Sequence, residues 1–416
     1  MPEICPVPLK QYISAMVSVV IAGSSVLGPT LGGILTHYAS WRWVFWINGP
    51  TCLVSTLTFV LLWPPARRVP NIPKQSWRSL DAIGTFLLVS AAVLVVFAFQ
   101  NAGESGNRVW TSAVFIGPLT VGLFSWAVLF AWEYTVDQRL EPGITPAFPI
   151  ALFRNRAYAS AVLSTMTSGY PLLLIIFSST TRVQAVSEKS SLISGLMLLP
   201  MLGMTAVGGT IAGKINRRHR RASETILAGT CLVLLGCGLL TTVRGPADDV
   251  KALGFLVFPG LGFGLTTTAA TILATVETPP QHRASAQGTL AQLRVLGGSL
   301  GISASTVLLR REISARLVDI VSPQDLSALG GGATHLSPVE RDAVRAAYSE
   351  AFHKGMVSAS VVCAVAVLSA LCGCRWHRKS AETTEANADV MQQVLTEDKS
   401  QDVKRAITST GPTSTS

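Results

Sequence analysis

The chain has 416 residues, of which 13% are charged and 49% apolar, with a net charge of +10. A water-soluble body carries about 25% charged residues, so lipid is the solvent that this composition fits. A disulfide-stapled secreted scaffold and a disordered chain are excluded on the same grounds.

A helix needs roughly 20 mostly apolar residues to cross the hydrocarbon core of a bilayer. Ten stretches meet that need: Ile13–Leu35, Trp43–Trp63, Ala82–Phe99, Ser112–Trp132, Ala157–Thr180, Leu192–Ala212, Thr225–Val243, Leu253–Val276, Ser285–Leu309 and Met356–Cys374. They contain no Asp, Glu or Lys, and their only Arg is Arg294. Lipid offers no partner to backbone N–H and C=O groups, so each stretch is expected to be a helix. The expected fold is an all-α integral membrane protein, a polytopic bundle of those ten spans. The first stretch lacks a basic leader and a compact apolar centre, so it is read as a span rather than a cleavable signal.

Loop charge gives an expected orientation. One set of alternate loops carries Arg67, Arg68, Lys74, Arg78, Arg139, Arg154, Arg156, the basic run from Lys214 to Arg221, Arg283, Arg375, Arg378 and Lys379. The other set has only Arg42, Arg108, Arg182, Lys189, Arg244 and Lys251, apart from the long loop before the tenth stretch, to which the rule applies poorly. The positive-inside bias places the first set, and both termini, in the cytoplasm. The run Lys214–Arg221 adjoins a membrane end, which fits lipid headgroups better than nucleic acid. Asp81, Glu133, Glu224 and Glu277 all fall at the edges of stretches.

In the long loop, Ser337-Pro338-Val339-Glu340 has capping-box spacing with Pro at the first helical position, so a polar helix is expected to begin there and run into the tenth stretch. The Thr/Ser/Glu-rich residues 375–416 are expected to form a disordered cytoplasmic tail.

Small residues mark close-packing faces. Gly28 and Gly32 are four apart in the first stretch, flanking Pro29 and followed by Gly33. That spacing lets a neighbouring backbone approach, and it fits an ordinary close-packed membrane helix as well as a hinge. Pro259-Gly260-Leu261-Gly262-Phe263-Gly264 and Gly297-Gly298-Ser299-Leu300-Gly301 carry the same signal, and Pro171 and Pro200 are positions where a helix bends or breaks. Arg294 is the tenth residue of its stretch, about 14 Å along the helix axis. A charge at that depth lines a polar cavity, latches two helices, or snorkels to the interface. Gln287 and Gln292 share its stretch. No metal-ligand cluster, phosphate-binding loop or nucleophile with a positioned base is present. The expectation is therefore no catalytic residue, no metal and no cofactor. A membrane enzyme would have only the scattered His37, His219, His282 and His377 to work with.

The segment Gly28-Pro29-x-x-Gly32-Gly33, followed by Trp41-Arg42-Trp43-Val44-Phe45-Trp46-Ile47-Asn48-Gly49-Pro50, resembles the fifth-helix antiporter motif of the major facilitator superfamily. It is most similar to the fourteen-helix drug:proton antiporters, especially fungal multidrug and toxin efflux pumps. Leu80-Asp81-x-x-Gly84 resembles the start of that family's seventh helix, and Phe148-Pro149-Ile150-x-Leu152-Phe153-Arg154-Asn155-Arg156 the stretch before its ninth. Ser194-Gly195-Leu196-x-Leu198-Leu199-Pro200 resembles its tenth helix, and Arg294-x-x-Gly297-Gly298-x-x-Gly301 its thirteenth.

The resemblance implies a partial major facilitator fold without the family's first four helices. Residues 1–63 would be the remnant of the first half, 64–156 two central linker helices, and 157–374 the second six-helix half. It also implies export of amphipathic small molecules by alternating access, with Gly28, Pro29, Gly32 and Gly33 as a transport hinge. Arg294, Gln292 and Gln287 would be cavity or latch residues, and Asp81 an acidic residue at the membrane edge. The implied partners are the bilayer, a small-molecule substrate and protons, with no nucleic acid, and the implied site is the plasma membrane in preference to the vacuolar membrane, between which the residues themselves do not distinguish. A non-transporting or partner-dependent membrane protein is the alternative, since no stretch holds a carboxylate at membrane depth.

Overall fold

The computed structural model describes residues 24, 27–28, 31–36, 38–62, 80–101, 112–139, 146–219, 221–279, 282–317 and 337–409, and no side chain beyond residue 374. Pro29, most of the first apolar stretch and residues 410–416 lie outside this set. The helices are α1 (Arg42–Trp46), α2 (Asn48–Leu62), α3 (Ala82–Asn101), α4 (Ala113–Arg139), α5 (Ile150–Phe153), α6 (Arg156–Ala185) and α7 (Ser191–Leu196). They continue with α8 (Leu199–His219), α9 (Ala222–Leu240), α10 (Asp249–Phe255), α11 (Val257–Glu277), α12 (Arg283–Leu317) and α13 (Pro338–Ser409).

Among the described residues, eight helical segments are long and apolar enough to cross a membrane. They correspond to the second to eighth and the tenth stretches. The ninth stretch forms the middle of α12, a single helix of 35 residues. With Arg294 and two glutamines it is less apolar than the others, and it is covered by protein, packing against α6, α13 and α3.

Two helix breaks follow from proline chemistry. The N–H missing at Pro200 would have bonded the carbonyl of Leu196, and the one missing at Pro259 the carbonyl of Phe255. α7 ends at Leu196 and α10 ends at Phe255. Pro171, in contrast, sits inside α6 without interrupting it. Other helix starts follow from caps. Asn155 accepts from Ala157 N at 3.0 Å at the head of α6. The expected capping box opens α13: Glu340 accepts from Ser337 N at 2.7 Å, and Ser337 Oγ from Glu340 N at 3.3 Å. α13 then runs to Ser409, through residues whose composition pointed to disorder. Once a helix is nucleated each added residue contributes one backbone hydrogen bond, and Ala, Glu, Gln, Met and Lys in this stretch favour that continuation.

Glycine interfaces organise the second half. α11 lies between α8 and α9. A Cβ on Gly260 or Gly264 would strike the carbonyls of Met201 and Thr205 on α8, and one on Gly262 the carbonyl of Gly229 on α9. α6 meets α12 in the same way: a Cβ on Gly297 or Gly301 would strike the carbonyls of Met166 and Tyr170, and one on Gly169 the carbonyl of Arg294. Two buried clusters flank these seams, one around Tyr158, Leu290 and Ala269, the other around Leu174, Met201, Phe352 and Met356. α3 and α4 pair with each other and touch the second half through α12, whereas no residue of α1 or α2 is buried.

Ion pairs tie the helix ends opposite the Asn155 side. Glu312, beyond the apolar part of α12, accepts from Lys354 Nζ at 2.5 Å and from Arg316 Nε at 3.1 Å. Burial opposes its ionisation, but the hydrogen bond and charge of Lys354, helped by Arg316, hold its carboxyl below the usual glutamate range. A depressed folded-state pKa contributes stability above the unfolded value and loses it as pH falls through the folded value. Glu312→Gln is therefore expected to melt at lower temperature than the parent at neutral pH. The difference should shrink as pH drops below about 4, as read by thermal unfolding in detergent across pH.

Candidate functional site

A polar face runs along α11 and is met by α12. Thr267, Thr271 and Thr275 recur every four residues, so they form one stripe on α11. Thr271 and Thr275 are exposed and Thr267 is half-buried. Each hydroxyl donates to a carbonyl of its own helix at 2.8–2.9 Å, which leaves the oxygen lone pairs facing outward. Gln287 of α12 reaches across and donates through Nε2 to Thr271 O and Thr275 Oγ1, both at 2.9 Å. It is the polar tie between these two helices.

Arg294 stands seven residues after Gln287 and therefore on the same face of α12. Its side chain is half-buried, and among the described residues no carboxylate or carbonyl meets the guanidinium. The seam beneath it is tight, because Gly169 of α6 abuts its backbone carbonyl. Gln292 falls on the opposite side of α12, also half-buried. The structure thus joins Gln287 to Thr271 and Thr275, places Arg294 about 10 Å further along the same face of α12, and leaves Gln292 apart. A half-buried cation without a counter-charge among the described residues can attract anionic or electron-rich groups of an amphipathic molecule while the surrounding apolar surface holds the rest.

The first-stretch residues divide similarly. Gly33 is buried, and its added Cβ would lie 3.0 Å from the α-carbon of Leu192 in α7. Gly28 and Gly32 have no neighbour within 4 Å of that position. The close approach expected from their spacing thus falls on Gly33, and Pro29 lies outside the described residues.

From the sequence, Asp81 and Glu133 were read as edge residues and Arg182 as a loop residue, and the structure buries all three. Arg182 donates to Asp249 Oδ1 at 3.0 Å and to Gly245 O at 2.6 Å, and its guanidinium lies over the Phe352 ring at 5.5 Å. Lys189 completes this cluster at 2.7 Å from Asp249. Two small pockets border Arg182 and Phe352. They lie at the ion-paired helix ends and include none of the residues expected to carry transport, so the cluster is a brace between α6, α10 and α13 rather than a binding cavity. A charge one or two residues past an apolar stretch looks solvated in sequence, and only the return of a distant loop reveals its burial.

Three comparisons bear on identity. The MFS-type transporter FPY5 of Fusarium mangiferae is 29% identical over 341 residues, covering 78% of this chain and 55% of that protein. The aspyridones efflux protein of Neocamarosporium betae is 24% identical over 395 residues, covering 92% and 68% respectively. Against FPY5 and similar relatives the chain spans about half of their length. A crystal structure of a bacterial homologue of the human lysosomal transporter Spinster, inward-facing and occupied, aligns with a TM-score of 0.46 at 13% identity, covering 90% of this chain and 88% of that one. The chain is a multi-pass membrane protein, and with the family model for the Major Facilitator Superfamily matching residues 2–302, it belongs to that superfamily.

Proposed function

We propose that this chain carries the second half of an efflux transporter, which exports amphipathic small molecules by alternating access and is driven by the proton gradient. The observation that carries the reading is the open polar face of α11 and α12. There Arg294 has no counter-charge among the described residues, and Gln287, on the same face of α12, is tied to Thr271 and Thr275 of α11. Relatives named as efflux proteins support the direction of transport. Gly28, Pro29, Gly32 and Gly33 act as the hinge of the first stretch, with Gly33 riding on the backbone of Leu192. The plasma membrane is the site of action, with both termini cytoplasmic, as loop charge favours.

Vesicles energised with a proton gradient test this. Efflux of a fluorescent amphipathic cation or anion should fall to background on addition of an uncoupler, and unchanged efflux would sink the proton drive. The unburied α1 and α2 support a second reading, in which transport needs further helices from an extended or partner chain. Transport by the upstream-extended chain and none by the 416-residue chain alone would favour it.

A further inference from the structure

Asp81 and Glu133 come from the near ends of α3 and α4, and both are buried, with 5% and 1% of their surface exposed. The point where a Gly84 Cβ would sit lies within 2.9 Å of an oxygen of each, so the two carboxyls face one another across that glycine and are within hydrogen-bonding reach. Both also grip the strap that leads from α4 into α5 and α6. Phe148 N donates to Glu133 Oε1 at 2.7 Å, and Ala147 N to Asp81 Oδ2 at 3.5 Å.

Helix capping accounts for only one of these four oxygens. Asp81 Oδ1 accepts from Gly84 N at 2.8 Å, as an N-cap does, and from the Trp132 indole at 3.0 Å. Nothing in a cap calls for a second buried carboxyl. Glu133 Oε2 is buried with no hydrogen-bond partner among the described residues. No cation compensates the pair among them either. Arg154 and Arg156, on the strap and α6, are exposed, as is Tyr134 of α4. Glu277 of α11 accepts from Asn155 at 2.7 Å, Arg283 of α12 donates to Thr278 O at 3.4 Å, and Tyr158 donates to Ala286 O at 3.2 Å.

Two ionised carboxylates so close, in so dry a place, repel each other without relief. One proton removes the repulsion and converts an acceptor into the O–H donor that the pair lacks. We propose that Asp81 and Glu133 bind a single proton between them, and that this shared proton latches α3 and α4 onto the strap at residues 146–149. The proton comes from the aqueous phase and returns to it. With the proton gone, the two charges push apart, the hydrogen bonds donated by the Ala147 and Phe148 amides loosen, and the central helix pair loses its hold on the strap. The site is separate from the open face at Arg294 and does not depend on the transport reading.

The test uses the full chain in lipid. Infrared pH-difference spectra should show the C=O band of a protonated, buried carboxyl that persists well above the range in which exposed carboxyls ionise, about pH 4. The band should vanish in Glu133→Gln and shift in Asp81→Asn. Hydrogen exchange reads the latch. In the parent, the peptide covering 146–149 should exchange about tenfold faster at high pH than in Glu133→Gln at the same pH, the loss of a hydrogen bond to a charged group being of that size. At low pH the two should match. Gly84→Ala, which drives a methyl between the carboxyls, should lose both the band and the protection while the α6–α12 seam stays protected. The proposal is overturned if no carboxyl band disappears with Glu133, if that band titrates only with exposed carboxyls, or if exchange at 146–149 is the same in parent and Glu133→Gln at every pH. Retention of the latch on adding Na+ or Mg2+ at high pH, with no carboxyl band, would assign the site to a metal cation instead and overturn it too.

Discussion

Gly264→Val is expected to melt well below the parent in detergent, whereas Gly213→Ala, on the helix that Gly264 touches, is expected to be neutral or slightly stabilising. The two glycines differ in what a side chain would meet. At Gly264 a Cβ runs into the Thr205 carbonyl and lies 2.8 Å from the Gly209 amide, both of them backbone atoms of α8. Backbone cannot swing aside as a side chain does, so α8 and α11 must separate along the seam. The nearby Gly260 contact with Met201 and Gly208 contact with Leu261 would open with it. Overpacking of this kind costs about 3 kcal/mol at the upper end of its usual range, or a fall in melting temperature of roughly 6 °C for a unit of this size. At Gly213 nothing lies within 4 Å of the added Cβ. There alanine only removes glycine's unfolded-state freedom, which favours the helix by up to about 1 kcal/mol. Thermal unfolding followed by size-exclusion chromatography would settle the matter. Equal melting temperatures for Gly264→Val and the parent would mean that this seam tolerates separation and that the glycines are not there for contact.

The seams show what the sequence can and cannot reveal. Apolar length located the spans, because the requirement for internal hydrogen bonding in lipid is local to each segment. Pro200 marked a helix break because a missing N–H acts on the carbonyl four residues back, whereas Pro171, read in the same way, leaves α6 continuous, and Ser337 with Glu340 marked a start for an equally local reason. The Gly-rich faces of α11 and α12 were legible as faces, but their partners were not. Spacing says that a backbone can approach, and only the fold says whose. That is why close approach falls on Gly33 while Gly28 and Gly32 stay open. The burial of Arg182, Asp81 and Glu133 was not legible because burial of a charge at the end of a span depends on residues far along the chain, such as Asp249, 67 positions after Arg182, or Phe148, 15 positions after Glu133. Arg294 was visible because it interrupts an apolar stretch, and its lack of a counter-charge became visible only with its neighbours in place.

That lack separates a transport role from a structural one. Arg294→Met should reduce efflux at least tenfold while leaving the melting temperature unchanged or slightly higher. A cation held partly out of water without a partner costs free energy, and methionine keeps the apolar stem without the charge. If Arg294 latched α12 to a neighbour, removing it would uncover a group left behind, and the protein would melt earlier. No hydrogen bond or ion pair of the guanidinium exists among the described residues to be lost in this way. Its backbone carbonyl against Gly169 is untouched by a change of side chain. Arg294→Lys keeps the charge but not the planar fork that grips carboxylates and similar groups in two places. It should therefore retain part of the efflux of a cargo that needs only charge and little of one that needs the fork. Gln287→Ala supplies the contrast. It breaks two bonds of 2.9 Å between α11 and α12 and should lower the melting temperature. A gain in stability with a loss of efflux is the signature of a residue kept for function at a cost in folding. The opposite pattern, early melting with efflux intact per folded molecule, would return Arg294 to the scaffold and take the proposed cargo-binding role of α11 and α12 with it.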